Sequence, residues 1–284
     1  MQFSKQFITC FILCFYLGFS QQPATSAKIL EKAIQQKEVA SQNSLVKNVP
    51  FENIGPTIMS GRVVDLDVNP NEPTEFYVGY ASGGVWHTTN NGSTFEPILD
   101  TSNTQNVGDI AVHWKTKTIW VGTGENNSSR SSYAGIGILK SSNNGKTWTN
   151  VGLIDAHHFA PILIHPDNPD VVTVGVTGHL YSANNERGIY KTTDGGYHWS
   201  SIDLPDSITQ IYDIAFQDEM TGYFVGIDTL SDSWPRVLFK TTDGGNTWTD
   251  GLGALFVTPK FTDVVIFAPD SRPTATLLSP EELE

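Results

Sequence analysis

The sequence predicts an all-β fold, an arc of four-stranded antiparallel β-propeller blades, and three observations carry that expectation. First, one short turn signature recurs four times. It reads Thr88-Thr-Asn-Asn-Gly-Ser-Thr-Phe95, Ser141-Ser-Asn-Asn-Gly-Lys-Thr-Trp148, Thr192-Thr-Asp-Gly-Gly-Tyr-His-Trp199 and Thr241-Thr-Asp-Gly-Gly-Asn-Thr-Trp248. Second, the copies begin 53, 51 and 49 residues apart, a spacing typical of repeat architectures. Third, each copy follows the same succession of β-rich runs and turns, and helical periodicity ends near residue 45.

Taken in order, each unit opens with a first run: Val63-Val-Asp-Leu-Asp-Val68, Asp109-Ile-Ala-Val112, Ile162-Leu-Ile164 and Asp213-Ile-Ala-Phe216. A turn follows, such as Asn69-Pro-Asn-Glu-Pro73 or His165-Pro-Asp-Asn-Pro169. A second run closes in Val-Gly: Phe76 to Gly79, Ile119 to Gly122, Val171 to Gly175 and Tyr223 to Gly226. A third (Val85 to His87, Ile138 to Lys140, Ile189 to Lys191, Leu238 to Lys240) enters the signature, and a short fourth leaves it. β-Branched and aromatic residues bounded by Gly, Pro, Asn and Asp are strand-and-turn grammar. Four short antiparallel strands in about fifty residues make a propeller blade.

The signature itself reads as a hairpin turn. Asn90, Asn143, Asp194 and Asp243 are placed to accept backbone N–H bonds inside it. Gly92, Gly145, Gly196 and Gly245 supply a backbone shape that a Cβ would strain. Phe95, Trp148, Trp199 and Trp248 are expected to fold back as buried aromatic plugs. Four copies spread around an arc cannot converge on one active site, so these residues are structural rather than catalytic.

The ends set the remaining organisation. Lys5 precedes the apolar stretch Phe7 to Leu17, and Gly18-Phe-Ser20 supplies small residues, so residues 1–20 read as a secretion signal. The stretch is short for a membrane span. Both cysteines, Cys10 and Cys14, lie within it, so an exported chain carries no disulfide. Residues 21–50 read as a polar, partly helical linker, and 51–284 as the propeller. A fifth unit starts at Thr262-Asp-Val-Val-Ile266 without a fifth signature. The expectation is four complete blades plus the start of another, an incomplete ring joined in the full-length protein by further blades. Phe51-Glu-Asn-Ile54 has the composition of a strand that completes a last blade.

The chain has 17 Lys and Arg against 30 Asp and Glu, a formal charge of −13, which becomes −14 once Lys5 leaves. Such a balance argues against a nucleic-acid surface and against anionic membranes. No phosphate loop, dinucleotide fingerprint, nucleophile elbow or Cys-based metal motif is present, so no cofactor and no metal are expected.

Candidate functional residues come from the loops between second and third strands, which vary from 4 residues in the first unit to 14, 12 and 10 in the others. Variable insertions on a regular scaffold are where binding resides. They hold Glu125, Asn126, Asn127 and Arg130, then His179, Asn184, Asn185, Glu186 and Arg187, then Asp228, Asp232 and Trp234. Inter-blade ion pairing, such as Glu125 with Arg187, is the alternative reading. Aligning first strands puts Asp65, Asp109, Asp213 and Asp263 at one position, with Pro161 in the third unit. This carboxylate collar either faces the channel or hydrogen-bonds a neighbouring blade. His157 and His158 precede the third inner strand, within reach of the channel mouth.

Several stretches resemble a known group: Phe51-Glu-Asn-Ile-Gly-Pro56, Ser60-Gly-Arg-Val63, Tyr80-Ala-Ser-Gly-Gly-Val-Trp86, Gly122-Thr-Gly-Glu-Asn126, His158, Gly178-His-Leu180 and Arg187 to Gly196. They are similar to secreted bacterial proteins of the sortilin N-terminal and Asp-box (BNR) repeat type, often labelled glycosyl hydrolases. The resemblance covers residues from about 51 to 270. It implies a β-propeller that binds a protein, peptide or carbohydrate, with Arg62, Glu125, Arg130, His158, His179, Glu186 and Arg187 as candidate ligand contacts. Related xyloglucan-degrading glycosidases carry a catalytic Asp in a Thr-Asp-Ile-Gly-Gly segment, where Tyr80-Ala-Ser-Gly-Gly84 stands here, so Ala81 replaces the carboxylate. Glycoside hydrolysis in most families needs two carboxyl groups flanking the bond. The sialidase Arg-Ile-Pro segment is also missing, with Arg62 only a distant counterpart. The expected function is therefore a secreted, non-catalytic binding module without membrane insertion. The alternative is part of a carbohydrate-active hydrolase whose acids would be Asp65, Asp109 or Glu125.

Overall fold

Among the described residues, four separate four-stranded antiparallel sheets make up the β-rich body, each laid out in chain order from its first strand to its fourth. The computed structural model describes residues 24–50, 61–126, 132–180, 184–204, 208–218, 220–228 and 236–250. The leader, Phe51 to Pro56, Ser60, Asn127, Arg130, Asp232, Trp234, Asp263 and the fifth unit lie outside them. Residues 1–49 form one compact unit and 50–284 another. Among its described residues the first holds the helix α1 (Ala27–Gln42), with no buried residue. It is not long and apolar enough to cross a membrane.

In the second unit, blade 1 comprises β1 (Val63–Val68), β2 (Phe76–Tyr80), β3 (Gly84–Thr88) and β4 (Glu96–Pro97). Blade 2 comprises β5 (Val107–His113), β6 (Thr118–Thr123), β7 (Ile138–Ser141) and β8 (Thr149–Asn150). Blade 3 is β9 (Phe159–His165), β10 (Asn168–Val176), β11 (Gly188–Thr192) and β12 (Ser200–Ile202). Blade 4 is β13 (Ile208–Phe216), β14 (Gly222–Asp228), β15 (Arg236–Thr241) and β16 (Thr249–Asp250). The inner strands pack in succession, β1 on β5, β5 on β9 and β9 on β13. This is an all-β, incomplete propeller. One element has no counterpart in the sequence reading, a 3-10 turn at Ile154–Ala156 ahead of β9.

A four-stranded sheet has two faces and cannot bury both alone, so the core lies in the seams between blades. Trp120, Phe159, Ile162, Val172 and Val174 fill the seam between blades 2 and 3. Ile189, Ile214, Phe224 and Trp248, with Leu163 and Ile202 against them, fill the next. On blade 1 the inner-strand residues Leu66 and Val68 are 49% and 39% exposed, whereas Ile110 and Val112 of blade 2 are 0% and 6% exposed beneath blade 1.

Each signature closes by one scheme. In the first copy the Thr88 hydroxyl donates to Asn90 Oδ1 (3.0 Å) and accepts the Gly92 N–H (3.0 Å), while Asn90 Oδ1 also accepts the Thr94 N–H (2.9 Å). The same bonds recur around Asn143, Asp194 and Asp243. The four signature glycines hold φ between +78° and +92°, the left-handed region in which a side chain is strained. The signature aromatics depart from the expectation of plugs buried in their own hairpins. Trp248 is buried, but Phe95, Trp148 and Trp199 are half-buried. They lie at seams: the Trp148 indole N–H donates to the Ile98 carbonyl (2.7 Å) and that of Trp199 to the Val151 carbonyl (2.7 Å), each on the chain leaving the preceding blade. In these two copies the neighbouring blade supplies the acceptor for the indole N–H.

For Asp65 and Asp109 the collar question resolves in favour of stitching. Asp65 Oδ2 accepts the Ile110 N–H (3.3 Å), and Asp109 Oδ2 accepts the Ile162 N–H (2.7 Å). Asp67, which the sequence reading did not single out, accepts both the Val112 N–H (2.8 Å) and the Trp114 indole N–H (2.8 Å). The alignment of Asp213 with these residues is corrected. Asp65 and Asp109 pair across Gly79 and Gly122, but a bulge between Ile211 and Asp213 sets Asp213 opposite Val225, one step from Gly226. Further out, the Lys140 and Lys191 ammonium groups donate to the carbonyls of Gly195 (3.3 Å) and Gly244 (2.5 Å) in the next blade's signature.

Removing a buried hydrogen-bonding partner costs roughly 1–3 kcal/mol per orphaned group. Asp67→Ala, which orphans two donors, should therefore lower unfolding stability by about 3 kcal/mol. Asp167→Ala, breaking the exposed Lys115–Asp167 pair, should cost far less, because solvent screens an exposed pair. Urea unfolding of both variants beside the parent checks the contrast, and equal losses would refute the stitching role of Asp67.

Candidate functional site

Loops from three successive blades meet at one end of the arc, and their side chains form a connected series. Arg62, immediately ahead of β1, ion-pairs with Glu125, which follows β6. Glu125 is 1% exposed and Arg62 is 53% exposed in its side chain. The Glu125 carbonyl accepts the Nδ1–H of His158 (2.6 Å). Because a carbonyl can only accept, this bond fixes the proton on Nδ1 and leaves Nε2 as the acceptor nitrogen.

His158 is 4% exposed. Burial, followed by the neighbouring His157 and His179, pulls its pKa down to about 4, because a charged imidazole is penalised away from water and beside like charges. His157 stacks on His179 with centroids 3.9 Å apart and planes at 21°. His179 Nε2–H donates to the Asp155 carbonyl (3.0 Å), and its own carbonyl accepts from Arg187 Nη2 (2.8 Å) and Asn184 Nδ2 (3.1 Å). Arg187 Nε also donates to the Thr177 carbonyl (3.0 Å). Glu186 contributes main-chain groups, its carbonyl accepting from the Tyr190 hydroxyl (3.1 Å).

The backbone that presents His157 is strained. Its φ and ψ are 58° and −41°, and the His158 N–H closes onto the Ala156 carbonyl (2.6 Å), a γ-turn of the rare positive-φ kind. The His157 carbonyl is clamped by the Gly135 N–H (2.7 Å). Gly124, at φ +86°, leaves the room for that carbonyl, and a Cβ there would collide with it. Strained residues persist only where surrounding structure over-determines them, as it does here, and they concentrate at functional positions.

The sequence-derived candidates are thus partly united. Arg62, Glu125, His158, His179 and Arg187 join one network, while Arg130 lies outside the described residues. The suggested Glu125–Arg187 pair is replaced by Glu125–Arg62, because Arg187 turns to the carbonyls of its own loop. Sequence reasoning missed Tyr133, 54% exposed, whose carbonyl accepts the Glu125 N–H (3.1 Å). It also did not bring His179 to His157, on which it stacks from a different loop. Among the described residues no group of three or more His, Cys, Asp or Glu is arranged to hold a metal ion. Ala81, at the position of the glycosidase carboxylate, is 1% exposed and main-chain bonded to Arg62 and Val107.

Comparison with known proteins follows the geometry. Residues 137–257 match the Sortilin-Vps10 family model, described as sortilin, neurotensin receptor 3. A xyloglucanase of a Paenibacillus species is 24% identical over 242 residues, covering 71% of this chain and 21% of the relative. The photosystem II assembly lipoprotein Ycf48 of Synechococcus is 34% identical over 85 residues, 29% of this chain and 23% of that protein. Among solved structures, an ancestral GH74 enzyme superposes with a TM-score of 0.52 at 20% identity, over 68% of this chain and 26% of that one. The chain spans about a quarter or less of the curated relatives it matches, 21–26%. Over part of its length the chain is thus similar to the sortilin family and to a xyloglucanase, and its likeness to the solved GH74 structure is one of fold.

His158 gives the site a pH signature. Its folded pKa lies below the ordinary value of 6.5, so between about pH 6.5 and 4 the unfolded chain takes up a proton that the folded chain refuses. Stability conferred by the neutral ring is therefore complete above 6.5 and declines as pH falls, by about 1.4 kcal/mol per unit until the folded pKa is reached. His158→Gln should abolish that component of the slope. Urea unfolding at pH 7 and pH 4.5 tests this, and an unchanged slope in the variant would contradict a buried neutral His158.

Proposed function

We propose that this chain is a secreted, non-catalytic propeller module that holds a protein, peptide or carbohydrate ligand at the three-blade loop cluster. The observation that carries the reading is the continuous network from Arg62 through Glu125, His158, His157 and His179 to Arg187, assembled from loops otherwise free to diverge. Its outer members, Arg62, Tyr133 and Arg187, are exposed, while Glu125 and His158 are buried beneath them. That division suits recognition, since buried groups hold exposed ones in place. Ligand-binding residues on loops carried by a rigid β-scaffold follow the same logic.

Two features support a non-catalytic role. Asp65 and Asp109 are committed to main-chain N–H groups of the next blade, and Ala81 supplies no acid. Export is supported by the leader-like first twenty residues. Similarity to xyloglucanases and the buried carboxylate of Glu125 favour a second reading, part of a carbohydrate-active hydrolase with Glu125 as an acid. Each relative's substrate suggests where a ligand search should begin.

Purified protein should bind members of a combined glycan and peptide array. Arg62→Ala combined with His179→Ala should weaken that binding at least tenfold, about 1.4 kcal/mol, with an unchanged far-ultraviolet circular dichroism spectrum. Release of reducing sugar from xyloglucan should stay at background. Background signal on both arrays, or sugar release abolished by Glu125→Gln, would overturn the proposal.

A further inference from the structure

Blade 1 shows to solvent the face that blades 2 and 3 bury. Strand register makes the positions comparable. Val63 pairs with Tyr80, Val107 with Thr123 and Phe159 with Val176, each one residue past the glycine that ends the second run. Leu66, Ile110 and Ile162 pair with Val78, Val121 and Val174, each one residue before it. Val107, Phe159, Ile110 and Ile162 are at most 1% exposed, whereas Val63 and Leu66 are 57% and 49% exposed. Val68, two residues beyond Leu66, is 39% exposed. A contiguous apolar row in solvent marks an interaction surface.

What covers the equivalent rows is the same pair of residues at both seams. Asp65 Oδ2 accepts the Ile110 N–H, and Asp109 Oδ2 accepts the Ile162 N–H. Directly across the ladder from each acid stands a glycine, Gly79 opposite Asp65 and Gly122 opposite Asp109. Each glycine makes room for the following blade. A Cβ on Gly79 would lie 3.2 Å from Val107 Cγ1 and 3.3 Å from Ile110 Cγ2, and one on Gly122 would lie 2.6 Å from Phe159 Cβ and 3.3 Å from Ile162 Cδ1. The acid therefore holds the next main chain while the glycine lets the two sheets close, the usual reason for glycine where another backbone approaches. Bonding alternates along an antiparallel strand, so the N–H groups of Ile110 and Ile162 face away from their own ladders. The matching register turns the Leu66 N–H outward from the β1–β2 ladder in the same way.

We propose that this face of blade 1 is a docking surface for a further blade of the same repeat type, one that presents a first-strand carboxylate directly across from a second-strand glycine. The carboxylate takes the Leu66 N–H, and the glycine lies over Val63 and Leu66. A second acid two positions on, as Asp67 stands to Asp65, takes the Val68 N–H. Complementarity of donor and acceptor selects this occupant over the same face of a second copy. Two such faces laid together would set N–H groups against apolar rows with no carboxylate between them, and burying donors without acceptors is costly. The inference does not depend on what the loop cluster binds.

The test is nuclear magnetic resonance on the isotope-labelled full chain, with an unlabelled hairpin peptide of residues 63–80, cyclised through its ends, as the probe. The peptide carries the acid–glycine pair of Asp65 and Gly79. In the protein alone the Leu66 amide should exchange with solvent at least tenfold faster than the Ile110 amide. Equal protection would show that the chain itself already covers the face, and would overturn the proposal. Added peptide should shift the Leu66 and Val68 amides saturably. A peptide carrying Asp65→Ala and Asp67→Ala, or one carrying Gly79→Val, should bind at least fivefold more weakly, and Leu66→Lys in the protein should remove the shifts. Equal binding by the altered peptides would refute the proposal, as would unmoved Leu66 and Val68 amides at millimolar peptide whose cross-strand contacts show it folded. Concentration-dependent dimers that Leu66→Lys dissolves would assign the face to a second copy and refute it as well.

Discussion

Everything in the β-rich body depends on how a thin sheet hides its second face. A single blade of about fifty residues is too small to enclose a core, so apolar side chains must be buried against the next blade. Dispersion and burial supply the attraction, but they do not say which strand lies opposite which. The carboxylates of Asp65, Asp67 and Asp109 add that information, each accepting a main-chain N–H from the following inner strand. Those N–H groups lie beyond their own sheet's ladder and would otherwise need water. Charge-assisted bonds of this kind are stronger than neutral ones, which suits a contact that sets register.

The same economy explains why the repeated signature is so constant while its surroundings vary. Thr or Ser at the first position and Asn or Asp at the third satisfy the turn's own N–H groups. Only the aromatic reaches out, and it reaches backwards, to the chain leaving the previous blade. Phe95 sits on the blade whose outer seam face is exposed, and a phenyl ring carries no N–H to satisfy. The third-strand lysines complete the pattern in the opposite direction, Lys140 and Lys191 reaching forwards.

Much of the fold was legible in the residues, because turn chemistry and strand composition are local and recur with a fixed period. The partners of the inner-strand acids were not, since Asp67 and Val112 are 45 residues apart and nothing local marks their meeting. Asp67 carried a usable signal nonetheless: it lies two positions after Asp65, hence on the same side of β1. Asp213 misled because sequence alignment cannot see a bulge. The candidate site was half legible. Loop-length variation pointed to Glu125, His179 and Arg187, but which loop faces which is set by blade order in space. Arg62 therefore took the place assigned to Arg187 beside Glu125.

Chemistry then separates the acids into two kinds. Asp65, Asp67 and Asp109 hold main-chain N–H groups, so their lone pairs are directed into the scaffold. Glu125 faces a side-chain cation that is itself half in solvent, an arrangement in which either partner can exchange its contact for a ligand group without breaking secondary structure. Burial of Glu125 makes its charge expensive unless Arg62 or an equivalent donor stays close. A ligand that draws Arg62 away must therefore supply a donor to Glu125 in return, which favours molecules presenting both acceptor and donor groups at short spacing. Hydroxyl-rich sugars and peptide main chain share that property, whereas simple anions lack it.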